Sequence, residues 1–239
     1  MPTALVTGGT RGIGEAVAKK LKKSGYNVVI NYFSSKARAE ELEKQGFFTV
    51  RADVADDCQV KEMFDAVKKR FGKVDVLINN AGIALKQKTF FDVDEAEFDR
   101  VFAVDVKGVF LCSKYAALNM LRSGGGDIIN VSSVFGVEGA SCEAVYSAAK
   151  GAVIAFTKSL AKELEGASVR VQAVAPSMVD TDMNAHLSAK DKASYLADRG
   201  QKEMLTAEDV ADVVARLLKE PENGSVTVIE SRDNAFKSA

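Results

Sequence analysis

The sequence predicts a Rossmann-like α/β fold, a doubly wound parallel sheet of about seven strands with helices on both faces in three layers. Short apolar runs rich in β-branched residues alternate with amphipathic helical stretches along nearly all 239 residues, and this alternation specifies right-handed βαβ crossovers. The runs are continuous, as is typical of strands buried on both faces. The predicted strands are 4–7, 27–30, 47–51, 74–79, 127–131, 169–175 and 226–229.

Two of the intervening stretches have the spacing of surface helices. Between the first two strands, apolar residues recur on one helical face and charged residues lie off it. The same pattern lies between the third and fourth strands and stops at Gly72, a typical residue just beyond a helix end. Both stretches are expected to cover the sheet with the stripes Ile13, Ala16, Val17 and Leu21, and Val60, Met63, Phe64, Val67 and Phe71.

A single domain over residues 1–239 is expected, because no Pro-, Gly- or Ser-rich linker interrupts the chain. The one long stretch without a predicted strand runs from about 176 to 206. Long connections in compact domains are often lids, so we expect short helices here over a substrate cleft. His186 falls within this stretch and is interpreted as a loop residue rather than a substrate contact.

Composition favours small-molecule chemistry. The 32 basic and 33 acidic residues give a net charge of -1 and are spread along the chain, which argues against nucleic acid and anionic membranes as partners. No apolar run approaches a membrane span, and no charged region precedes the first strand, so a cytoplasmic location is expected. Cys58, Cys112 and Cys142 are widely spaced without CxxC pairs, which predicts reduced thiols and no metal site.

A glycine-rich turn follows the first strand. Residues 7–14 read TGGTRGIG, with glycines at Gly8, Gly12 and Gly14. Glycine permits positive φ and close approach of backbone to a pyrophosphate, and a helix N-terminus offers free N–H groups. A glycine cluster alone also fits a tight turn, but its place after the first strand of a βαβ series favours phosphate binding.

Arg11 lies within this loop, where a guanidinium can bind a phosphate on the adenosine ribose with two hydrogen bonds. An arginine simply exposed to solvent is the alternative. NAD-binding units usually end their second strand with an acidic residue that accepts from the ribose 2′-OH, but residues 28–36 here read VVINYFSSK. Since no carboxylate would repel a 2′-phosphate, NADP is predicted in preference to NAD.

Tyr146 and Lys150 lie four residues apart in an alanine-rich helical stretch, so both project from one face. A nearby cation favours phenolate and lowers a tyrosine pKa from its reference of about 10, which predicts a general acid. The pair alone also fits an ordinary helix surface. However, Ser133 ends the fifth strand thirteen residues earlier, and its hydroxyl is suited to hold a substrate carbonyl.

These motifs together resemble the classical short-chain dehydrogenases/reductases over about residues 3 to 220: TGGTRGIG, NNAG at 79–82, the Ser133, Tyr146 and Lys150 spacing, and Ala175-Pro176 followed by TDM. Within the family, NVSSVFG, YSAAKGAVIAFTKSLAKEL and VAPSMVDTDM most resemble members of the β-ketoacyl-carrier-protein reductase type. The resemblance implies hydride transfer from NADPH to a ketone, giving a secondary alcohol. It favours a 3-oxoacyl thioester of acyl carrier protein or coenzyme A as the substrate.

The resemblance also implies roles for individual residues. Tyr146 would be the proton donor, Ser133 would position the carbonyl, and Lys150 would hold the nicotinamide ribose and tune Tyr146. Besides Tyr146 and Lys150, the implied cofactor residues are Gly8, Thr10, Arg11, Gly12, Ile13 and Gly14 around the phosphates, Asn31, Tyr32 and Ser34 after the second strand, Asp53 and Val54 at the adenine, Asn79, Ala81 and Gly82 at the adjacent ribose, and Pro176, Val179 and Thr181, the last near the carboxamide.

The sequence departs from the family at three places. Asp105 replaces an asparagine of a water-linked proton path, and as a candidate catalytic residue it adds negative charge that would raise the Tyr146 pKa or impair proton delivery. Pro176-Ser177 replaces Pro-Gly, which restricts the backbone there. The C-terminal stretch lacks the family ending ITG…VDGG, which often packs between subunits. This weakens the expectation of a tetramer, and a homodimer or homotetramer is predicted.

Two other functions stay open on the sequence. A hydroxysteroid or general carbonyl dehydrogenase would use the same chemistry on another substrate, and the 176–206 segment, whose sequence does not give a pocket shape, decides between them. A non-catalytic NADP-sensing protein is suggested by Asp105 and the altered C-terminus. The presence of Ser133, Tyr146 and Lys150 favours an enzyme.

Overall fold

The computed structural model describes residues 1–185 and 187–231, together with the backbone of 237–238. One sheet has the strand order β3-β2-β1-β4-β5-β6-β7-β8, in which the first seven strands are parallel and β8 is antiparallel to β7. All seven predicted strands are present. The strands are β1 Thr3–Val6, β2 Asn27–Tyr32, β3 Phe48–Arg51, β4 Val76–Asn79, β5 Gly126–Val131, β6 Val169–Pro176, β7 Val226–Ile229 and β8 Lys237–Ser238.

Helices cover both faces of the sheet, which confirms the predicted fold class. One core joins α1, α2 and α9 to the sheet, and the other joins α3, α5 and α7 to its opposite face. In the described part of the chain, no helix is long and apolar enough to cross a bilayer. The helices are α1 Gly12–Lys23, α2 Lys36–Lys44, α3 Asp57–Phe71, α4 Glu95–Phe102, α5 Gly108–Ser123, α6 Val134–Glu138, α7 Ala144–Glu163, α8 Ala189–Asp198 and α9 Ala207–Leu217.

The strand order reverses direction at β1, which lies between β2 and β4. In open α/β sheets, ligands bind outside the carboxyl ends of the strands at such a switch point. The loops after β1 and β4 meet here, because the Thr7 hydroxyl accepts hydrogen bonds from the backbone N–H groups of Asn80 at 2.9 Å and Ala81 at 3.0 Å. A cleft therefore opens between the glycine-rich turn and the NNAG segment.

A π-helical turn, Ala103–Lys107, joins α4 to α5 and carries Asp105. The wider turn inserts an extra residue into the helix, and such turns are frequent at functional sites. Val104 and Asp105 both face the interior. The turn therefore places a carboxylate beneath the cleft.

The 176–206 segment contains the short helices expected from its sequence. It leaves β6 at Pro176, forms a 3₁₀ turn and then α8. Its two ends pair, since Leu205 N–H donates to the Met178 carbonyl at 3.1 Å and Asp180 N–H donates to the Leu205 carbonyl at 2.8 Å. His186 lies outside the described residues. The action of this segment as a lid stays a prediction.

The central strand β4 should carry much of the stability of the fold. Leu77 on β4 is fully buried, whereas Leu118 on α5 is 44% exposed. Leu77→Ala should therefore lower the free energy of unfolding by about 2–5 kcal/mol, and the control Leu118→Ala should change it by less than about 0.5 kcal/mol. Urea unfolding measures both values, and equal losses would contradict this assignment of the core.

Candidate active site

The glycine-rich turn is shaped by steric constraint at two residues. Gly8 and Gly12 have φ of +60° and +51°, a region that residues with side chains rarely adopt. A Cβ on Gly8 would lie 2.9 Å from the Ala81 Cα, so the two loops touch backbone to backbone. Gly14 serves packing, since a Cβ there would lie 2.5 Å from Asn80 Nδ2. The turn thus leaves a cradle of bare backbone at the sheet edge.

Helix α1 begins at this cradle. Its N-cap residue is Arg11, and within the described residues no side chain caps the N–H groups of its first turn. An uncapped helix N-terminus attracts anions through its N–H groups and its dipole. Arg11 is exposed and borders the adjoining cavity. The turn therefore fits the pyrophosphate of a dinucleotide.

A cavity of about 460 Å³ extends from the glycine-rich turn along the carboxyl edge of the sheet. Asn31 borders it and holds the turn in place, accepting from Gly8 N–H at 3.3 Å and donating to the Ala52 carbonyl at 3.0 Å. Most of the predicted cofactor residues line this cavity: Gly8, Thr10, Arg11, Gly12, Ile13, Asn31, Tyr32, Ser34, Asp53, Val54, Ala81, Gly82 and Thr181.

Phe33 and Arg100 also line this cavity, and the sequence did not single them out. The guanidinium groups of Arg51 and Arg100 lie 5.9 and 5.8 Å from the Phe33 ring centre. Arg100 also pairs with the Asp53 carboxylate at 3.3 Å. The cavity end beside β2 therefore carries an aromatic ring and cations from elements far apart in the chain.

A second cavity of about 360 Å³ contains the predicted catalytic residues Ser133, Tyr146 and Lys150, and also Pro176 and Val179. The two cavities share lining residues and so form one cleft. The shared residues are Ile13, Asn80, Gly82, Ala84, Leu85, Thr181 and Met183. The fold thus brings the predicted catalytic group next to the predicted cofactor group.

Two helices that follow β5 position the predicted catalytic residues. Ser133 caps α6, and its Oγ accepts from Phe135 N–H at 3.2 Å. On α7, the Lys150 Nζ lies 5.5 Å from the centre of the Tyr146 ring. A Cβ on Gly136 would lie 2.6 Å from the Lys150 carbonyl carbon. The close backbone packing of α6 on α7 therefore fixes Ser133 relative to Tyr146 and Lys150.

Lys150 is a buried cation with a buried anionic partner. Its Nζ donates to the Val131 carbonyl at 3.2 Å and lies 3.1 Å from Asp105 Oδ2. Asp105 Oδ1 accepts from Ile83 N–H at 2.8 Å, whereas Oδ2 makes an ion contact without hydrogen-bond alignment to any described residue. Burial raises the pKa of Asp105 against the opposing effect of Lys150. Burial lowers the pKa of Lys150, but Asp105 and Tyr146 outweigh it, so the net shift is upward.

Tyr146 has a raised pKa in this site. Burial is the largest cause and the Asp105 charge adds to it, while Lys150 and a hydrogen bond with Ser133 act in the opposite direction. Lys150 and Asp105 therefore act in the directions expected from the sequence. The expected net lowering does not occur, because removal of the phenol from water disfavours phenolate more than the ammonium favours it.

A comparison with protein families shows to which family the chain belongs. The family model described as short chain dehydrogenase matches residues 2–192, which is most of the chain. The chain belongs to this family. It is an oxidoreductase of the short-chain dehydrogenase type, as the resemblance in its motifs implied.

Similar proteins of this family align over nearly the whole chain. The 3-oxoacyl-(acyl-carrier-protein) reductase of Staphylococcus aureus is 42% identical over 221 residues, covering 90% of this chain and 89% of that protein. The corresponding enzyme of Synechocystis is 38% identical over 232 residues, covering 94% and 92%. The solved structure of 3-ketoacyl-(acyl-carrier-protein) reductase from Brucella melitensis, complexed with NADH, has a TM-score of 0.88 and 32% identity, covering 96% of each chain.

Asn79 of this short-chain dehydrogenase does not line the cleft. Its side chain is buried and donates to Ser113 Oγ at 2.9 Å and Asn130 Oδ1 at 2.8 Å. The adjacent Asn80 lines both cavities and donates to the Thr7 carbonyl at 2.9 Å. Of the two asparagines in NNAG, the second therefore supports the glycine-rich turn, while the first ties β4 to its neighbours.

Ser177, where the family usually has glycine, makes contacts that a glycine would lack. Its buried Oγ lies 2.9 Å from the Tyr195 hydroxyl and 3.3 Å from Gln201 Oε1. Tyr195 also meets the Phe135 ring edge-on, with centroids 6.0 Å apart. Ser177, Tyr195 and Gln201 form what we term the hydroxyl latch, which holds α8 against the catalytic cavity.

Removal of the Tyr195 hydroxyl should loosen α8. One hydrogen bond contributes about 0.5–1.5 kcal/mol, so Tyr195→Phe should speed amide hydrogen exchange across 189–201 by about 3- to 10-fold. Mass spectrometry of peptides from this range measures the effect. Tyr115→Phe is the matched control. It removes a hydroxyl that donates to Asp57 Oδ1 at 3.2 Å, and neither residue lines the cleft. Unchanged exchange in Tyr195→Phe would contradict the hydroxyl latch.

Proposed function

We propose that this short-chain dehydrogenase reduces the ketone of a 3-oxoacyl thioester, carried by acyl carrier protein or coenzyme A, to a secondary alcohol with NADPH. The observation that carries the proposal is the continuous cleft that joins the phosphate-fitting turn to Ser133, Tyr146 and Lys150. The names of the Staphylococcus and Synechocystis relatives support the substrate class. The NADH in the Brucella structure supports a nicotinamide cofactor.

Each catalytic side chain has a separate task in this proposal. A bound nicotinamide supplies a hydride, with its two electrons, to the carbonyl carbon. Ser133 donates a hydrogen bond to the carbonyl oxygen and orients it. Tyr146 gives its phenolic proton to that oxygen as negative charge develops there, completing the alcohol. Lys150 stabilises the phenolate that remains.

The raised pKa of Tyr146 suits an acid in the reductive direction. Burial and the Asp105 charge keep the phenol protonated near neutral pH, opposed by Lys150. A proton donor loses activity when it is already deprotonated before the substrate binds. The rate of reduction should therefore hold through neutral pH and fall as the pH rises through the pKa of Tyr146.

Several contacts support NADP over NAD as the cofactor. Arg11 and Ser34 line the cavity, and residues 27–36, which form β2 and the turn after it, contain no carboxylate. Among the described residues, two carboxylates line the cavity, Asp53 and Asp182, and Asp53 pairs with Arg100 and accepts from Ala55 N–H at 2.9 Å. Cations and hydroxyls thus dominate this end, as a 2′-phosphate requires.

The 176–206 segment is proposed as the substrate lid. It contributes Met178, Leu187 and Tyr195 to the wall of the catalytic cavity. A hydroxysteroid or another ketone as substrate would meet the same wall, and the substrate panel below separates these alternatives. The single-domain organisation, the homodimer or homotetramer and the cytoplasmic location stay predictions.

Turnover tests the proposal directly. The protein should consume NADPH, followed by loss of its absorbance, with acetoacetyl thioesters in preference to steroids and simple ketones. Tyr146→Phe should lower this rate by at least about 100-fold, the contribution of a positioned acid, while the NADPH dissociation constant stays within about twofold, as for a phenol not needed for binding. Tyr115→Phe serves as the control. Cofactor binding without turnover of any ketone would favour the sensing protein instead.

Cofactor preference is tested at Arg11. Arg11→Ala should weaken NADPH binding by about 10- to 100-fold, the range for a hydrogen bond to a charged group, and weaken NADH much less. Titration calorimetry measures both dissociation constants. Arg122→Ala, at the exposed end of α5, is the control. Equal weakening of both cofactors would refute the assignment of Arg11 to the 2′-phosphate.

A further inference from the structure

Asp105 lies directly behind the junction of the two cavities. Gly82 lines both of them, and a Cβ on Gly82 would lie 2.9 Å from Asp105 Oδ2 and 3.2 Å from Lys150 Nζ. Asp105 itself is fully buried. Gly82 and Lys150 therefore lie next to this carboxylate, and both residues line the catalytic cavity.

Two contacts of Asp105 stabilise its charged form and oppose the rise in its pKa that burial causes. The Lys150 ammonium lies 3.1 Å from one oxygen, and the Ile83 N–H donates to the other at 2.8 Å. Both contacts stabilise a carboxylate more than a neutral acid. As an anion, Asp105 cancels the Lys150 charge, so the buried pair is neutral where Lys150 alone would be positive.

Other polar groups also face Tyr146. Lys150 lies on the same helix as Tyr146, and Glu143 is the N-cap of that helix. Ser133 follows β5, and Asp105 lies in the π-helical turn. The 176–206 segment adds Asp191, Tyr195 and Asp198 to the lining of the same cavity. Among all these groups, Asp105 is the acidic one in direct contact with the Lys150 ammonium.

We propose that Asp105 is a positioning residue whose charge behind Gly82 favours both a cationic nicotinamide and a protonated Tyr146, and so sets the relative affinity for oxidised and reduced cofactor and the pH at which Tyr146 ionises. The inference rests on the proposed function. Reduction begins with a neutral nicotinamide and a protonated acid, and it ends with a cationic nicotinamide once hydride has left. A fixed negative charge in a low-dielectric site stabilises that cation and retains the acid proton.

Cofactor affinity tests the first half of the proposal without turnover. Asp105→Asn removes the charge with little change in shape, and it should weaken NADP⁺ relative to NADPH by about 3- to 10-fold, tenfold being about 1.4 kcal/mol. Calorimetry with each cofactor at pH 7 measures this ratio. Asp65→Asn is the control, since Asp65 is exposed and pairs with Lys61 at 2.8 Å on α3. Its ratio should stay within about twofold, because exposed charges are screened.

The pH dependence of alcohol oxidation tests the second half. Oxidation needs the phenolate of Tyr146, so in Asp105→Asn its rate should begin to rise about one pH unit lower than in the wild type. A purely structural role for Asp105 would lower the rate without moving the pH profile or the affinity ratio. A shift of the pH profile would therefore show the effect of the Asp105 charge rather than a structural effect.

Circular dichroism checks that Asp105→Asn folds. An unchanged ratio of NADP⁺ to NADPH affinity in the folded variant would overturn the proposal. If that variant does not fold, Asp105→Ser removes the same charge with a smaller side chain. The cofactor affinity ratio and the pH profile of alcohol oxidation in Asp105→Ser then test the proposal in the same way. Should the protein prefer NAD, the NAD⁺ to NADH ratio replaces the NADP⁺ to NADPH ratio. The cofactor affinity ratio is measured without substrate. It therefore tests the role of Asp105 even if 3-oxoacyl thioesters do not react.

Discussion

The ammonium group of Lys150 lies inside the protein, where an ion without partners costs several kcal/mol. Three neighbours offset that cost: the Asp105 carboxylate, the Val131 carbonyl and the Tyr146 ring. They come from the π-helical turn, the end of β5 and the first turn of α7. These elements must keep their relative positions for the charge to stay buried. One electrostatic requirement therefore links the packing of the fold to the arrangement of its cleft.

The sheet explains how residues far apart in the chain reach one cleft. Parallel strands end at a common edge, so the segments after β1, β4, β5 and β6 emerge side by side. The direction of winding reverses at β1, which leaves a gap between helices on the two faces. The glycine-rich turn lines one of the two cavities at this edge, and Tyr146 and Lys150 of α7 line the other. Cofactor and substrate thus have one continuous groove in which to meet.

The strands, the glycine-rich turn and the proximity of Tyr146 to Lys150 were predictable because their signals are local. Continuous apolar runs mark strands buried on both faces, and the positive φ of Gly8 follows from the need of a tight turn for glycine. Tyr146 and Lys150 share a face because the helical period fixes their separation. The two residues of β8 carry no periodic signal, so that strand could not be foreseen.

Other features depend on distances between separate elements. The ring of Phe33 meets Arg100 only once α4 packs beside the end of β2, and Ser177 meets Tyr195 only once the 176–206 segment folds back. The net direction of the Tyr146 pKa depends on burial, which no spacing of charges reveals. In NNAG, Asn79 lies in the interior and Asn80 lines the cleft. The sequence does not show which asparagine is buried, because that depends on where β4 ends.

The most direct test of this cofactor site is a crystal structure of the protein with NADP⁺ bound. We expect the pyrophosphate against the first turn of α1, the 2′-phosphate beside Arg11, and the nicotinamide ring where the two cavities join, next to Tyr146 and Lys150. A cofactor bound in the opposite orientation, or outside this cleft, would contradict it.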